Sequence, residues 1–160
     1  MRVTGGSNRR VSLAALICVK PGCRPRLIYR VHNGRGPRKG FTEADYARLP
    51  GAAHQQLGGP IVVVWDNLNV HVSATMAALI AARDWLTVYR LPPYAHELNP
   101  VELVWSHLKR SLANLAKRNL SQLTALVKTR LKRMQYRPGL LEGFLSGTGL
   151  DLAPFCNPRH

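Results

Sequence analysis

Acidic side chains are scarce in this chain. Of 160 residues only eight are Asp or Glu, against 23 Lys and Arg, and the formal net charge is +15. The whole supply is Glu43, Asp45, Asp66, Asp84, Glu97, Glu102, Glu142 and Asp151, so carboxylate chemistry has few places to occur. Cysteine is equally sparse. Cys18, Cys23 and Cys156 lack Cys-x-x-Cys spacing, which argues against a disulfide framework or a thiolate zinc site. His71, His96 and His107 match no zinc spacing either. No apolar run approaches the roughly 18 residues that span a bilayer, and no apolar stretch after Met1 could serve as a signal peptide. A cytoplasmic protein with no membrane partner is the expectation.

What is present is enough apolar material for a core. Hydrophobic residues make up 46% of the chain, a composition that argues against disorder, and the length suits one domain of ordinary size. The basic surplus calls for a polyanionic partner, of which nucleic acid is the commonest. A solvated basic surface would carry the same charge. Arg outnumbers Lys seventeen to six; Arg forks onto phosphate in bidentate fashion, although a GC-rich genome produces the same bias.

The patterning predicts an α/β protein. Residues 10–19 and 26–31 are apolar or alternating and flank Lys20-Pro21-Gly22, which reads as a β-hairpin. A basic, glycine-rich loop follows at 33–40. Thr42 can cap a short helix, with Asp45 completing a capping box, and a second helical stretch resumes near Ala52 and stops at Gly58-Gly59. Ile61 to Trp65 is an uninterrupted apolar run, the mark of a strand buried on both faces. Ser73 caps a helix to about Asp84, with Met76, Leu79 and Ile80 on one face. Residues 85–91 form another strand. Asn99-Pro100 opens a long helix, with Asn as N-cap and Pro at its first position, and with Val101, Val104, Trp105, Leu108, Leu112 and Leu115 at helical spacing. Ser121 caps a last helix that Pro138-Gly139 ends, and a loose tail follows. The order is that of an α/β chain with a mixed sheet.

Two carboxylates stand out by position. Asp66 directly follows the apolar strand, at the end where α/β sheets bind ligands; a loop Asp that caps the next turn would look the same. Glu102 lies three residues after Asn99, where a capping box places Glu for purely structural reasons. One carboxylate at a strand end and one in a helix's first turn could share a hard divalent ion, which wants oxygen ligands.

Trp65 to His71 (WDNLNVH) followed by Leu91 to Leu112 (LPPYAHELNPVELVWSHLKRSL) resembles the second and third signature blocks of DDE transposases. The closest group is the bacterial insertion-sequence relatives of the Tc/mariner elements. The core is Asn99, Pro100, Glu102, Trp105 and Lys109, and the resemblance runs over about residues 10–115. It implies a ribonuclease-H-like mixed sheet flanked by helices. It implies three acids holding two Mg²⁺ or Mn²⁺ ions, with Asp66 as the second acid and Glu102 as the third, both metal ligands and both catalytic. Asn67 and His71 match the polar residues beside the second acid, and Lys109 a DNA-facing base on the third-acid helix. Relatives often carry Pro where this chain has His96 before Glu97.

The resemblance also sets an expectation about what is missing. The family's first acid lies on a central first strand, upstream of the hairpin, whereas this sequence has no carboxylate before Glu43. The expected division is a partial catalytic domain over 1–118 and a helical extension with tail over 119–160. Two strand edges should be left unpaired, an invitation to edge pairing. The implied activity is metal-dependent cleavage and strand transfer of DNA at transposon ends, with DNA as partner and a homo-oligomer forming on it. These residues alone are expected to be inactive, as a transposase remnant or as one part of a protein whose N-terminal segment is encoded upstream. The alternative is a non-catalytic, basic nucleic-acid-binding protein.

Overall fold

The computed structural model describes residues 1–5, 9–34, 40–113 and 119–150. Among these residues, five strands and five α-helices follow in the order β1 (Arg2–Gly5), β2 (Arg9–Cys18), β3 (Arg26–His32), α1 (Glu43–Leu57), β4 (Ile61–Trp65), α2 (Ala74–Ala81), β5 (Leu86–Arg90), α3 (Val101–Leu112), α4 (Leu120–Gln135) and α5 (Pro138–Gly147). This is the mixed α/β pattern expected, with antiparallel strands first and a parallel strand–helix–strand unit after them.

The strands form two sheets. β1, β2 and β3 are antiparallel neighbours in that order, and β4 pairs in parallel with β5. The predicted hairpin is present, with Leu13 opposite Val31 and Leu16 opposite Ile28. β1 was not anticipated. It lies on β2 over Arg9 to Ser12, so that edge of the hairpin is partly covered rather than open. Four residues without apolar alternation carry too little pattern to announce a strand.

Four local expectations change. Thr42 and Asp45 do form the capping box, but α1 then runs unbroken through Pro50 to Leu57. A proline removes one helical hydrogen bond; here Leu49, Pro50 and Ala53 are all buried, and that packing holds the helix together. β4 is not covered on both faces. Val63 and Trp65 are buried, whereas Val62 is 63% and Val64 53% exposed. Finally, Asn119 rather than Ser121 caps α4, through a capping box with Gln122, and Pro138 begins α5 instead of closing the chain's structure.

The C-terminal helices belong to the main core. Val11, Leu13 and Leu27 of the antiparallel sheet, Val104, Trp105 and Leu108 of α3, and Leu123, Val127, Leu131 and Met134 of α4 form one buried cluster. Gln135 Nε2 donates to the Leu27 carbonyl at 2.7 Å, fastening the end of α4 to β3. α5 lies close to α3 at Gly147, where a Cβ would stand 2.9 Å from Leu103 Cδ1 and that side-chain end would have to shift. Leu115, expected on the α3 stripe, lies outside the described residues, as does Cys156.

Candidate functional site

The parallel pair places Asp66. β4 ends at Trp65, whose carbonyl accepts from the Leu91 N–H at 2.8 Å just past β5. Asn67 Nδ2 donates to the Leu91 carbonyl at 2.5 Å. Asn67 therefore ties the two strand ends together. Asp66 is left at the C-terminal edge of the pair, with its side chain 37% exposed.

His71 holds that carboxylate. A short 3₁₀ turn over Asn69–Val72 returns the chain, and His71 Nδ1 comes to 3.0 Å from Asp66 Oδ1. The same oxygen accepts the Leu68 N–H at 3.3 Å. The imidazole stacks on Trp65, with ring centroids 4.3 Å apart and 13° between planes, and Tyr46 meets it edge-on at 4.8 Å. With Nδ1–H given to Asp66, Nε2 is buried and has no hydrogen-bond partner among the described residues. The bond from His71 is the main cause of an Asp66 carboxyl held below its ordinary range; burial works against it, and the Leu68 N–H helps. Asp66 is thus oriented through Oδ1, and its ionised form is favoured.

Glu102 comes from α3. Asn99 Oδ1 accepts the Val101 N–H at 3.1 Å, and the Asn99 carbonyl accepts the Glu102 N–H at 3.0 Å. The helix proper starts at Val101, one residue later than the sequence suggested, with Asn99 still closing its first turn. Lys109 follows Glu102 by seven residues, two turns on, and so shares its face.

These pieces meet. Asp66, His71, Asn99, Glu102, Trp105 and Lys109 all line one cavity of about 330 Å³ between the antiparallel sheet, β4 and α3. The Met1 ammonium also lines it and donates to the Leu13 carbonyl at 2.8 Å. Burial lowers its pKa most; Glu102 and Asp66 both oppose that, while Lys109 and Arg2 add to it. Both carboxylates therefore act on one cationic point. Asn67 acts at the back of the strand ends and does not line the cavity. Tyr46 was missed by sequence reasoning. Its phenol is pushed up by burial and by Asp66, and no local spacing on α1 announces a contact with a loop 25 residues away. Glu97 stays outside the cavity, beside His96 at 3.7 Å, with both side chains exposed.

The donor set suits a hard divalent ion in part. Two carboxylates line the one cavity, and Mg²⁺ commonly takes only one or two from protein and fills the rest with water and phosphate oxygens. Among the described residues, no group of three or more His, Cys, Asp or Glu side chains is arranged to hold a metal.

Fold and site define an α/β protein with two carboxylates, a histidine and a lysine gathered at a strand-end cavity. The family model described as DDE superfamily endonuclease matches residues 4–126. The chain belongs to that family. The match includes β2 through the first turns of α4, and with them Asp66, Glu102 and Lys109. Among solved structures, the catalytic domain of Mos1 mariner transposase is similar to this chain, at 13% identity over 88% of this chain and 82% of that one, with a TM-score of 0.45. No curated protein matches the chain. Among the described residues, no helix is long and apolar enough to cross a membrane.

Proposed function

We propose that the cavity is the DNA-processing site of a transposase, in which Asp66 and Glu102 hold a divalent ion and act on phosphodiester bonds at transposon ends. The observation that carries this reading is the convergence of Asp66, Glu102 and Lys109 on one cavity in a member of a DNA endonuclease family. Mg²⁺ or Mn²⁺ would supply Lewis-acid polarisation of the phosphoryl oxygens and activation of the attacking hydroxyl. The chain's own residues do the rest. Asp66 offers Oδ2 while His71 fixes Oδ1. Glu102 closes the opposite wall from the first turn of α3. Lys109 draws a phosphate towards both.

Two acids hold one ion loosely, and a two-ion site needs a further oxygen ligand. An extended segment encoded upstream and ending in an acid fits this need, since the cavity runs between β2 and β4, which belong to separate sheets among the described residues. These 160 residues alone would then have little or no activity. Assembly of copies on DNA and a cytoplasmic location belong to the same reading.

The test is a matched pair of measurements. Isothermal titration with Mn²⁺ should give weak binding that Asp66→Ala and Glu102→Ala each abolish. Cleavage of transposon-end DNA should be absent or slight for the 160 residues. It should rise when an N-terminal strand carrying an Asp is added, and fall to background again with either substitution. Normal cleavage by the extended protein without Asp66 and Glu102 would show that the wrong carboxylates have been chosen. A second reading, a non-catalytic basic nucleic-acid-binding protein, is favoured by the +15 charge. It predicts DNA binding with no metal dependence of any kind.

A further inference from the structure

On the other side of α3 lies a second cavity, of about 600 Å³, walled by α3, α4 and the turn after α4. His107 and Ser111 of α3 contribute to it, and Arg130, Lys132, Arg133 and Arg137 face it from the other side. Among the described residues, no carboxylate lines it. At about 100° per residue, His107 and Ser111 lie roughly 140–180° around the helix axis from Glu102. The carboxylate cavity and this basic one therefore share α3 as a wall and open in different directions.

The basic cavity is short of acceptors. Arg130 Nε is buried with no hydrogen-bond partner among the described residues, an uncommon state for a buried donor. Lys132, Arg133 and Arg137 are exposed and have no ion pair among the described residues. His107 is held below its ordinary value first by burial, and Arg110 and Arg137 add to that in the same direction. Four cationic side chains around one concavity match the charge of phosphodiester oxygens.

We infer that the α3–α4 cavity is a second DNA-backbone site, gripping duplex phosphates away from the bond processed at Asp66 and Glu102. The partner assignment rests on the proposed DNA-processing reading; the site itself rests on the basic cavity. α3 then couples two jobs. One face presents the carboxylate and Lys109 to the reacting phosphate. The opposite face anchors the duplex at a distance of about one helix diameter, ~10–12 Å, so that the reacting strand is presented in a fixed register.

The experiment measures binding of the whole 160-residue chain to a fluorescein-labelled DNA duplex by anisotropy, in EDTA and over a range of salt concentrations. Each phosphate contact contributes about 0.9 to the log–log salt slope. Arg133→Ala with Arg137→Ala should weaken binding at least tenfold at low salt and lower the slope by ~1.8. Removing the same charge from the β2–β3 turn, Lys20→Ala with Arg24→Ala, should leave the slope close to that of the unaltered chain. Equal slopes for the Arg133/Arg137 variant and the unaltered chain would overturn the inference, and so would an equal fall in both double variants. A duplex RNA that competes better than DNA would overturn the choice of partner. Should the arginine variant lose its thermal transition, acetylation of Lys132 in the unaltered chain decides: protection by duplex supports the site, and equal modification refutes it. Asp66→Ala with Glu102→Ala should keep the metal-free slope. Failure of the carboxylate reading therefore shows in metal binding and cleavage, and failure of this one shows in the salt slope.

Discussion

His71 Nδ1 stands 3.0 Å from Asp66 Oδ1 while its ring lies stacked on Trp65. The histidine is thereby fixed in tautomer and orientation, and it in turn fixes the carboxylate. The lowered Asp66 pKa has a definite sign in stability. Asp66 contributes above the ordinary carboxyl range, and its contribution is lost as pH falls through the lower folded value. His71→Ala removes the main cause, so the Asp66 carboxyl should titrate at higher pH and the acid loss should begin earlier. Carbon-detected NMR titration of Asp66 checks this; an unmoved Asp66 would mean that the Leu68 N–H alone sets its value. Mn²⁺ affinity should fall roughly 10- to 100-fold, the usual effect of losing a group that orients a metal ligand.

Lys109 should behave differently from the acids. It lines the carboxylate cavity as an exposed side chain, and its expected role is to meet a phosphate. Lys109→Ala should leave Mn²⁺ affinity near that of the unaltered chain or slightly raise it, since a nearby positive charge is removed. It should lower the salt slope for duplex binding by about 0.9. Titration calorimetry and anisotropy on the same preparation separate the two effects. A large fall in Mn²⁺ affinity would instead give Lys109 a structural part in the cavity.

The thiols offer a check on packing. Cys18, at the end of β2, is buried, and burial pushes its thiol up to about 11. Cys23, in the following turn, is exposed. Because the thiolate is the reactive form, iodoacetamide near pH 8 should label Cys23 in the folded chain and leave Cys18 largely unmodified until denaturant is added. Peptide mass mapping reads each site separately. Fast labelling of native Cys18 would mean that the β2 edge opens.

What could be read in the sequence and what could not divide along physical lines. The hairpin, β4, β5 and α3 each carry a local signal: alternation, an apolar run, or an Asn-Pro start with helical spacing. Asp66 and Glu102 were legible for the same reason, since each is tied to the end of such an element. The extent of α1 was not, because Pro50 argues locally for a break and only the burial of Leu49, Pro50 and Ala53 against the rest of the molecule overrides it. The exposure of Val62 and Val64 was hidden because an apolar run does not say whether both faces find a partner. Tyr46 and the stacking of His71 on Trp65 are contacts between segments apart in sequence, which no spacing encodes. The basic cavity combines residues of α3 and α4 whose separate charges look like ordinary solvated faces.

Leu131 tests whether the C-terminal helices are an appendage or part of the core. The division expected from sequence, 1–118 and 119–160, would let α4 and α5 be removed with modest effect. The buried cluster argues otherwise, since Leu131 and Val127 are fully buried beside Val11, Leu13, Val104 and Leu108. Leu131→Ala should cost about 2–5 kcal/mol, the usual range for a large-to-small change that leaves a cavity. The loss should appear in a single cooperative transition, with circular dichroism and Trp105 fluorescence in a variant lacking the other tryptophans giving the same midpoint. A chain ending at residue 118 would expose the apolar faces of α3 and of the antiparallel sheet, and should bind a hydrophobic dye or precipitate. If that short chain instead unfolds with the midpoint of the full chain, or if Leu131→Ala shifts one transition and leaves another in place, then 119–160 folds as a separate unit and the shared core is not what stabilises the cavity walls.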